Sequence, residues 1–261
     1  MVHDSRATVT GCVRRWGVRW GGLATFAVGC TAPVTHMADA PPPPSDTGTD
    51  TVQMALACPA DPTLSICLAF DAPQVASPYA NEGALALSAT LTSVTRTEAP
   101  TSGAALLSAT SEIVFAPNTQ IVNIVAVDLR LRFDADVPAG GRVGLMDSDK
   151  ASPGMSLFVY TGTTTSHRVR CNLGGVDLYA DTSIPLGTWI DLGCTCEAGN
   201  VAVRKDGVKI AELGGTTTCA PGAGTTTGLQ IGQNSRAGDN LPPNEPLIGA
   251  IDRVRLWTRV P

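Results

Sequence analysis

Thiols and carboxylates carry most of the chemistry that this sequence could perform. Beyond residue 55 lie six cysteines, Cys58, Cys67, Cys171, Cys194, Cys196 and Cys219, and an even number in an exported chain reads as three disulfides. Cys58 and Cys67 bracket the turn Pro59-Ala60-Asp61-Pro62 and are expected to pair. The other four could instead form a four-thiolate zinc site, but Cys194-Thr195-Cys196 is C-x-C and not the C-x-x-C knuckle of zinc ribbons. On a strand Cys194 and Cys196 point to one face, which suits two separate bridges to neighbouring strands. Their partners are left open among Cys171 and Cys219.

Glycoside hydrolysis needs two carboxylates across the scissile bond, and Glu112, Glu197, Glu212 and Glu245 each lack a second acid at strand-face spacing. Neither H-E-x-x-H nor G-x-S-x-G occurs, so the metalloprotease and serine-hydrolase signatures fail. His167 reads as a solvent-facing residue between strands, and Asp147-Ser148-Asp149 as a solvated turn. Binding has a better candidate in the polar loop 234–246, where Asn234, Arg236, Asp239 and Asn240 are the expected ligand-binding residues, because loops on rigid scaffolds carry function.

The scaffold that must hold these residues is legible in the alternation of the chain. In Val125 to Asp134 one face is apolar and the other mostly charged, the pattern of a half-buried strand. Similar segments run over Arg142 to Met146, Met155 to Tyr160, Arg168 to Leu173, Val176 to Ala180, Trp189 to Cys196, Val201 to Lys205, Val208 to Leu213, Leu229 to Gly232 and Leu247 to Trp257. Asp206-Gly207 marks a two-residue hairpin, and Trp189 and Trp257 are expected in the core. Ten or more antiparallel strands exceed what one open sheet carries without curling, so the fold class is all-β, a two-sheet antiparallel jelly-roll sandwich.

The 261 residues include 43% hydrophobic and 16% charged side chains with a net charge of -5, a balance that argues against a nucleic-acid partner. No run of about 20 apolar residues offers a spanning helix. Residues 1–29 have a signal-peptide layout, with Arg6, Arg14, Arg15 and Arg19 ahead of a short apolar stretch. The stretch ends in Ala27-Val28-Gly29-Cys30, which resembles a bacterial lipobox and implies lipid on Cys30; an ordinary secretory signal cut after Ala40 is the competing reading. Removing residues 1–29 leaves 14 basic and 22 acidic side chains, so membrane attachment has to come from acyl chains. Residues 30–54, with Pro41 to Pro44 and a Thr/Asp/Gly run, read as a tether to a folded part at 55–261.

Leu68-Ala69-Phe70-Asp71, Gly187 to Leu192 with Trp189, Val201 to Val208 with Asp206-Gly207, Leu229-Gln230-Ile231-Gly232 and Gly249 to Trp257 resemble, in order and spacing, the LamG-like jelly roll of the concanavalin A-like lectin/glucanase superfamily. The Asn/Gly-rich segment usual after the first strand is replaced by Ala72 to Gly83. Many relatives hold a structural calcium where the two chain ends meet, so the resemblance implies Ca2+ at Asp71 and Asp252; the alternation of the last strand breaks at Asp252, where a bulge would redirect a side chain. The E-x-D-x-x-E string of glucanase relatives is missing. The sequence therefore reads as a non-catalytic, monomeric cell-envelope module that recognises glycan or protein, exported and lipid-anchored, or else secreted. The alternatives are a secreted glycan-active hydrolase and a purely structural envelope lipoprotein.

Overall fold

The computed structural model describes residues 58–100, 103–148, 155–163, 166–173, 175–215, 219, 227–235 and 245–261. Residues 1–29, Cys30, the tether at 30–54, and Arg236, Asp239 and Asn240 lie outside them.

Two eight-stranded antiparallel sheets make up the sandwich. The first contains β1 (Leu64–Ala69), β4 (Thr95–Glu98), β5 (Gly103–Leu107), β7 (Ala126–Phe133), β12 (Trp189–Glu197), β13 (Asn200–Lys205), β14 (Val208–Leu213) and β16 (Gly249–Trp257). Its order is β14-β13-β12-β7-β16-β5-β4, with β1 also on β16. The second contains β2 (Tyr79–Ala80), β3 (Ser88–Thr92), β6 (Glu112–Asn118), β8 (Arg142–Ser148), β9 (Ser156–Tyr160), β10 (His167–Leu173), β11 (Val176–Thr182) and β15 (Thr227–Ile231), in the order β11-β10-β9-β8-β15-β6-β3-β2.

Alternation sets the core. Val127, Leu129, Leu131 and Phe133 of β7 face Leu157 and Val159 of β9, Val169 of β10, and Leu229 and Ile231 of β15 in one buried cluster, the inner faces of two stacked sheets. A second, smaller cluster lies on the far side of the first sheet, where Leu64, Cys67, Ala126 and Trp257 bury one another. Trp257 is therefore buried outside the inter-sheet core, and half-buried Trp189 lies under the Arg132 guanidinium at 5.2 Å. The expected core placement holds for Trp257, in the outer cluster, and fails for half-buried Trp189; both have the strand parity of the outer face, where Trp257 pairs with Ala126 and Trp189 with Arg132.

The hairpin between β13 and β14 turns at Asp206 (φ 50°) and Gly207 (φ 77°), two positive φ values in succession as a type I′ turn requires. Cys58 pairs with Cys67, Cys171 with Cys194 and Cys196 with Cys219. Cys194 and Cys196 do share a face, but the bridge from Cys194 reaches β10 of the opposite sheet and not a neighbouring strand, so it staples the sandwich through its core. Three disulfides mark an exported protein.

Candidate functional site

The outer face of the second sheet gathers residues that no single segment of sequence brings together. Register across β8, β9, β10 and β11 places Arg142, Tyr160, Arg168 and Asp181 in one row. Gly144, Phe158, Arg170 and Tyr179 form the next row, and Asp147, Ser156, Asn172 and Asp177 the third. β9 can present aromatics here because its sequence, Ser-Leu-Phe-Val-Tyr, is apolar on both faces: Leu157 and Val159 enter the core while Phe158 and Tyr160 point away from it.

The aromatics form a connected platform. Phe158 and Tyr160 lie 6.5 Å apart between centroids, and Tyr160 meets Tyr179 edge-on at 6.2 Å, within the range in which aromatic pairs attract. Phe158 is buried because Arg142 stacks over it at 4.5 Å and Arg170 at 5.9 Å. Tyr179 is 47% exposed and is the accessible ring of the group.

Each guanidinium on the platform is matched by an acid. Arg142 Nε donates to Glu245 Oε2 at 2.6 Å and its Nη1 to the Tyr160 hydroxyl at 3.1 Å. Arg170 pairs with Asp177 at 2.7 Å and Arg168 with Asp181 at 2.8 Å. Burial works against the Arg142 charge, but its bonds to Glu245 and Tyr160 outweigh that and raise its pKa. The Asp181 carboxyl is held below the usual range by the hydrogen bond from Arg168. Asn172 donates to Asp177 at 2.6 Å, while its buried Oδ1 has no donor among the described residues; such an orphaned acceptor calls for an explanation.

The described ends of the segment singled out in the sequence, Asn234-Ser235 and Glu245, border this platform. A Cβ at Gly144 would collide with the backbone of Gln233 and Asn234, so the chain leaving β15 is seated directly on β8. Ser235 N donates to Asp147 Oδ2 at 2.9 Å, and Gly144 N to the Glu245 carbonyl at 2.7 Å. Asn234 is thus brought to the site but is buried in the seat of the loop. Phe158, Tyr160, Tyr179, Arg142, Arg168 and Arg170 were not singled out from sequence; the signal that could have found them is the outward parity of strands already recognised.

On the outer face of the first sheet, charges close on each other. Asp128 accepts from Arg253 at 3.2 Å and from Arg255 Nε at 3.1 Å, and Asp191 accepts from Arg130 and Arg253, each at 3.0 Å. Desolvation raises the Asp191 pKa and the Asp128 charge adds to it, against the pull of Arg253 and Arg130. Asp252 is the extra residue of a bulge, since β7 registers Leu131 with Ile251 and Arg130 with Arg253. The buried Asp252 carboxylate meets Arg130 Nε at 3.2 Å, and Asp71, after β1, is exposed. The positive charge facing Asp252 is thus a guanidinium, and no group of three or more His, Cys, Asp or Glu side chains suited to a metal occurs among the described residues. Two carboxylates, one of them already on a guanidinium, fall short of the 6 to 8 oxygens that calcium takes. His167 Nε2 contacts Asp136 at 2.8 Å.

Two packed antiparallel sheets, with the first and last strands paired in one of them, define a jelly-roll sandwich of lectin type. The chain belongs to the Concanavalin A-like lectin/glucanases superfamily, whose Laminin_G_3 family matches residues 109–261, more than half of its length. No curated protein matches the sequence. Among solved structures, a sialidase from Trypanosoma rangeli in complex with sialic acid is similar over 76% of this chain, with a TM-score of 0.54 and 16% identity. Domain 4 of an extracellular arabinanase from Geobacillus stearothermophilus, in complex with arabinotriose, is similar over 75% of this chain and 92% of its own, with a TM-score of 0.52 and 18% identity. A heptameric pentraxin from Limulus polyphemus overlaps less well, with a TM-score of 0.43 and 14% identity over 53% of this chain and 65% of its own. The chain spans only 31% of the sialidase, and at these identities the likeness is one of fold.

Proposed function

We propose that the protein is a non-catalytic glycan-binding module and that the platform around Tyr179 takes a neutral glycan. The observation that carries this reading is an exposed aromatic ring among guanidinium–carboxylate pairs of zero net charge. Sugars present both apolar C–H faces, which stack on rings, and hydroxyls, which donate and accept. Arg168–Asp181 and Arg170–Asp177 offer donors and acceptors side by side, already oriented by each other. An acidic sugar would have to compete with a carboxylate already on each guanidinium. Arabinotriose, in the structure of the arabinanase domain, is a neutral glycan.

A glycosidase acid must be free to pass a proton to the scissile oxygen, whereas Glu245, Asp177 and Asp181 each accept from a guanidinium. The test is titration of the full chain with neutral oligosaccharides, arabinotriose among them, against sialyllactose. Neutral ligands are expected to bind, and Tyr179→Ala to weaken them by about tenfold or more with an unchanged melting temperature, the behaviour of an exposed aromatic anchor. Preference for sialyllactose would overturn the neutral reading, and release of new reducing ends would favour a hydrolase.

The anchor and the oligomeric state belong to the same proposal. The anchor rests on Ala27-Val28-Gly29-Cys30 and the tether after it; Cys30→Ser is expected to move the protein from the membrane fraction to the soluble one. The monomer reading is supported by edge strand β14, where a bulge at Ile210 and the Lys209 side chain blunt pairing with another copy.

A further inference from the structure

The far side of the sandwich holds a cavity that the glycan platform does not use. It has a volume of about 460 Å³ and opens on the outer face of the first sheet, within the size range of small-molecule pockets. Its floor follows from two cross-strand rows. In one, Arg204, Gly193, Asp128 and Arg255 stand side by side on β13, β12, β7 and β16. In the other, Thr195, Ala126 and Trp257 do so on β12, β7 and β16. Small side chains in the middle of both rows leave the depression between Trp257 and Arg204.

Gly193 is the residue whose choice needs explaining. Glycine in a strand interior costs stability and often marks a close approach by something else. Gly249 has a steric reason, because a Cβ there would run into the Arg132 carbonyl. At Gly193 a Cβ would meet the Val127 carbonyl at 3.2 Å and Arg204 Cβ at 3.7 Å, tight but not prohibitive. What a larger side chain at 193 would chiefly remove is the floor of the cavity.

The two ends of the depression differ in chemistry. Trp257, Val260 and Pro59 make one wall mostly apolar, and the one carboxylate beside them, Asp61, is already hydrogen-bonded by Thr63 and the Trp257 side chain. At the other end Arg204, unlike Arg255 of the same row, has no carboxylate partner among the described residues and donates to the Gly207 carbonyl at 3.4 Å. Gly193 separates it from Asp128, which is already engaged by Arg253 and Arg255. Three interstrand steps part Trp257 from Arg204, roughly 14 Å between backbones, and the two side chains reach into that span. We propose that this cavity binds a small amphiphilic acid, its apolar chain or ring against Trp257 and its carboxylate on Arg204.

The test is isothermal titration of the full chain with hexanoate, 3-phenylpropionate and 1-hexanol. At least one acid is expected to bind at a single site with a Kd of about 1 mM or tighter, and the alcohol about tenfold more weakly. Which acid binds better separates an alkyl from an aromatic ligand. Arg204→Gln is expected to cost the acid about tenfold and leave the alcohol unchanged, while Gly193→Leu abolishes both; if that variant does not fold, Thr195→Leu narrows the same floor. No saturable heat from either acid, or equal acid binding by Arg204→Gln and the unaltered protein, would overturn the proposal. Neither result bears on the glycan platform, which lies on the other sheet.

Discussion

Replacing Cys171 and Cys194 together by alanine is expected to lower the melting temperature by roughly 10 °C. The bridge joins β10 of one sheet to β12 of the other, and both residues are wholly buried. It closes a segment with a sequence separation of 23, and cross-linking a loop of that size removes denatured-state entropy equivalent to about 3 kcal/mol. Alanine leaves no buried hydroxyl behind, so the loss reads the cross-link and its packing alone. For a domain of this size each kcal/mol moves the midpoint by about 2–4 °C. Thermal unfolding by circular dichroism is the measurement, with Cys58→Ala/Cys67→Ala for comparison. That second bridge closes a shorter loop on the outer cluster, so its removal is expected to cost less. A smaller loss from the core pair than from the outer pair would mean that hydrophobic contact already holds the sheets together.

The sandwich was legible because its long strands alternate cleanly. All ten segments read from the sequence are strands, and Val208–Leu213 agrees to the residue. The strands from Tyr79 to Asn118 were not individually recognised. Ser-Ala-Thr-Leu-Thr, Thr-Arg-Thr-Glu and Gly-Ala-Ala-Leu-Leu have too little contrast between faces to show a period of two. The bulge at Asp252 was visible as a change of parity, but its partner was not. Arg130 is 122 positions away in sequence and meets Asp252 only because β7 and β16 are neighbours. The glycan platform was hidden for the same reason. Parity along β9 could have turned Phe158 and Tyr160 outward, but the three rows that make a site of them require the order β8-β9-β10-β11, which no local pattern encodes. In the loop at 234–246 the sequence pointed to the correct neighbourhood. Within it, Asn234 serves the seat on β8, and Glu245 reaches Arg142.

Arg142→Ala is expected to reduce neutral-glycan binding by about 30-fold or more, beyond the effect of Tyr179→Ala, because it releases Phe158, Tyr160 and Glu245 together where Tyr179→Ala removes one ring. One guanidinium stacks on Phe158, bonds the Tyr160 hydroxyl and pairs with Glu245, so it ties the platform to the end of the segment 234–246. Its side chain is 22% exposed, which puts the Arg142–Glu245 pair between the surface and buried limits. The stability lost with it is therefore about 1–2 kcal/mol, read as a fall of a few degrees in melting temperature. Lysine separates charge from shape. Arg142→Lys keeps the positive charge for Glu245 but cannot reach Glu245 and Tyr160 in one plane while stacking on Phe158. The lysine variant is thus expected to recover much of the stability and little of the binding. If it binds glycan as the unaltered protein does, a charge near Glu245 is all the site needs and the stacked platform has no part in recognition. If both variants fold and both bind normally, the ligand surface lies elsewhere on the sandwich.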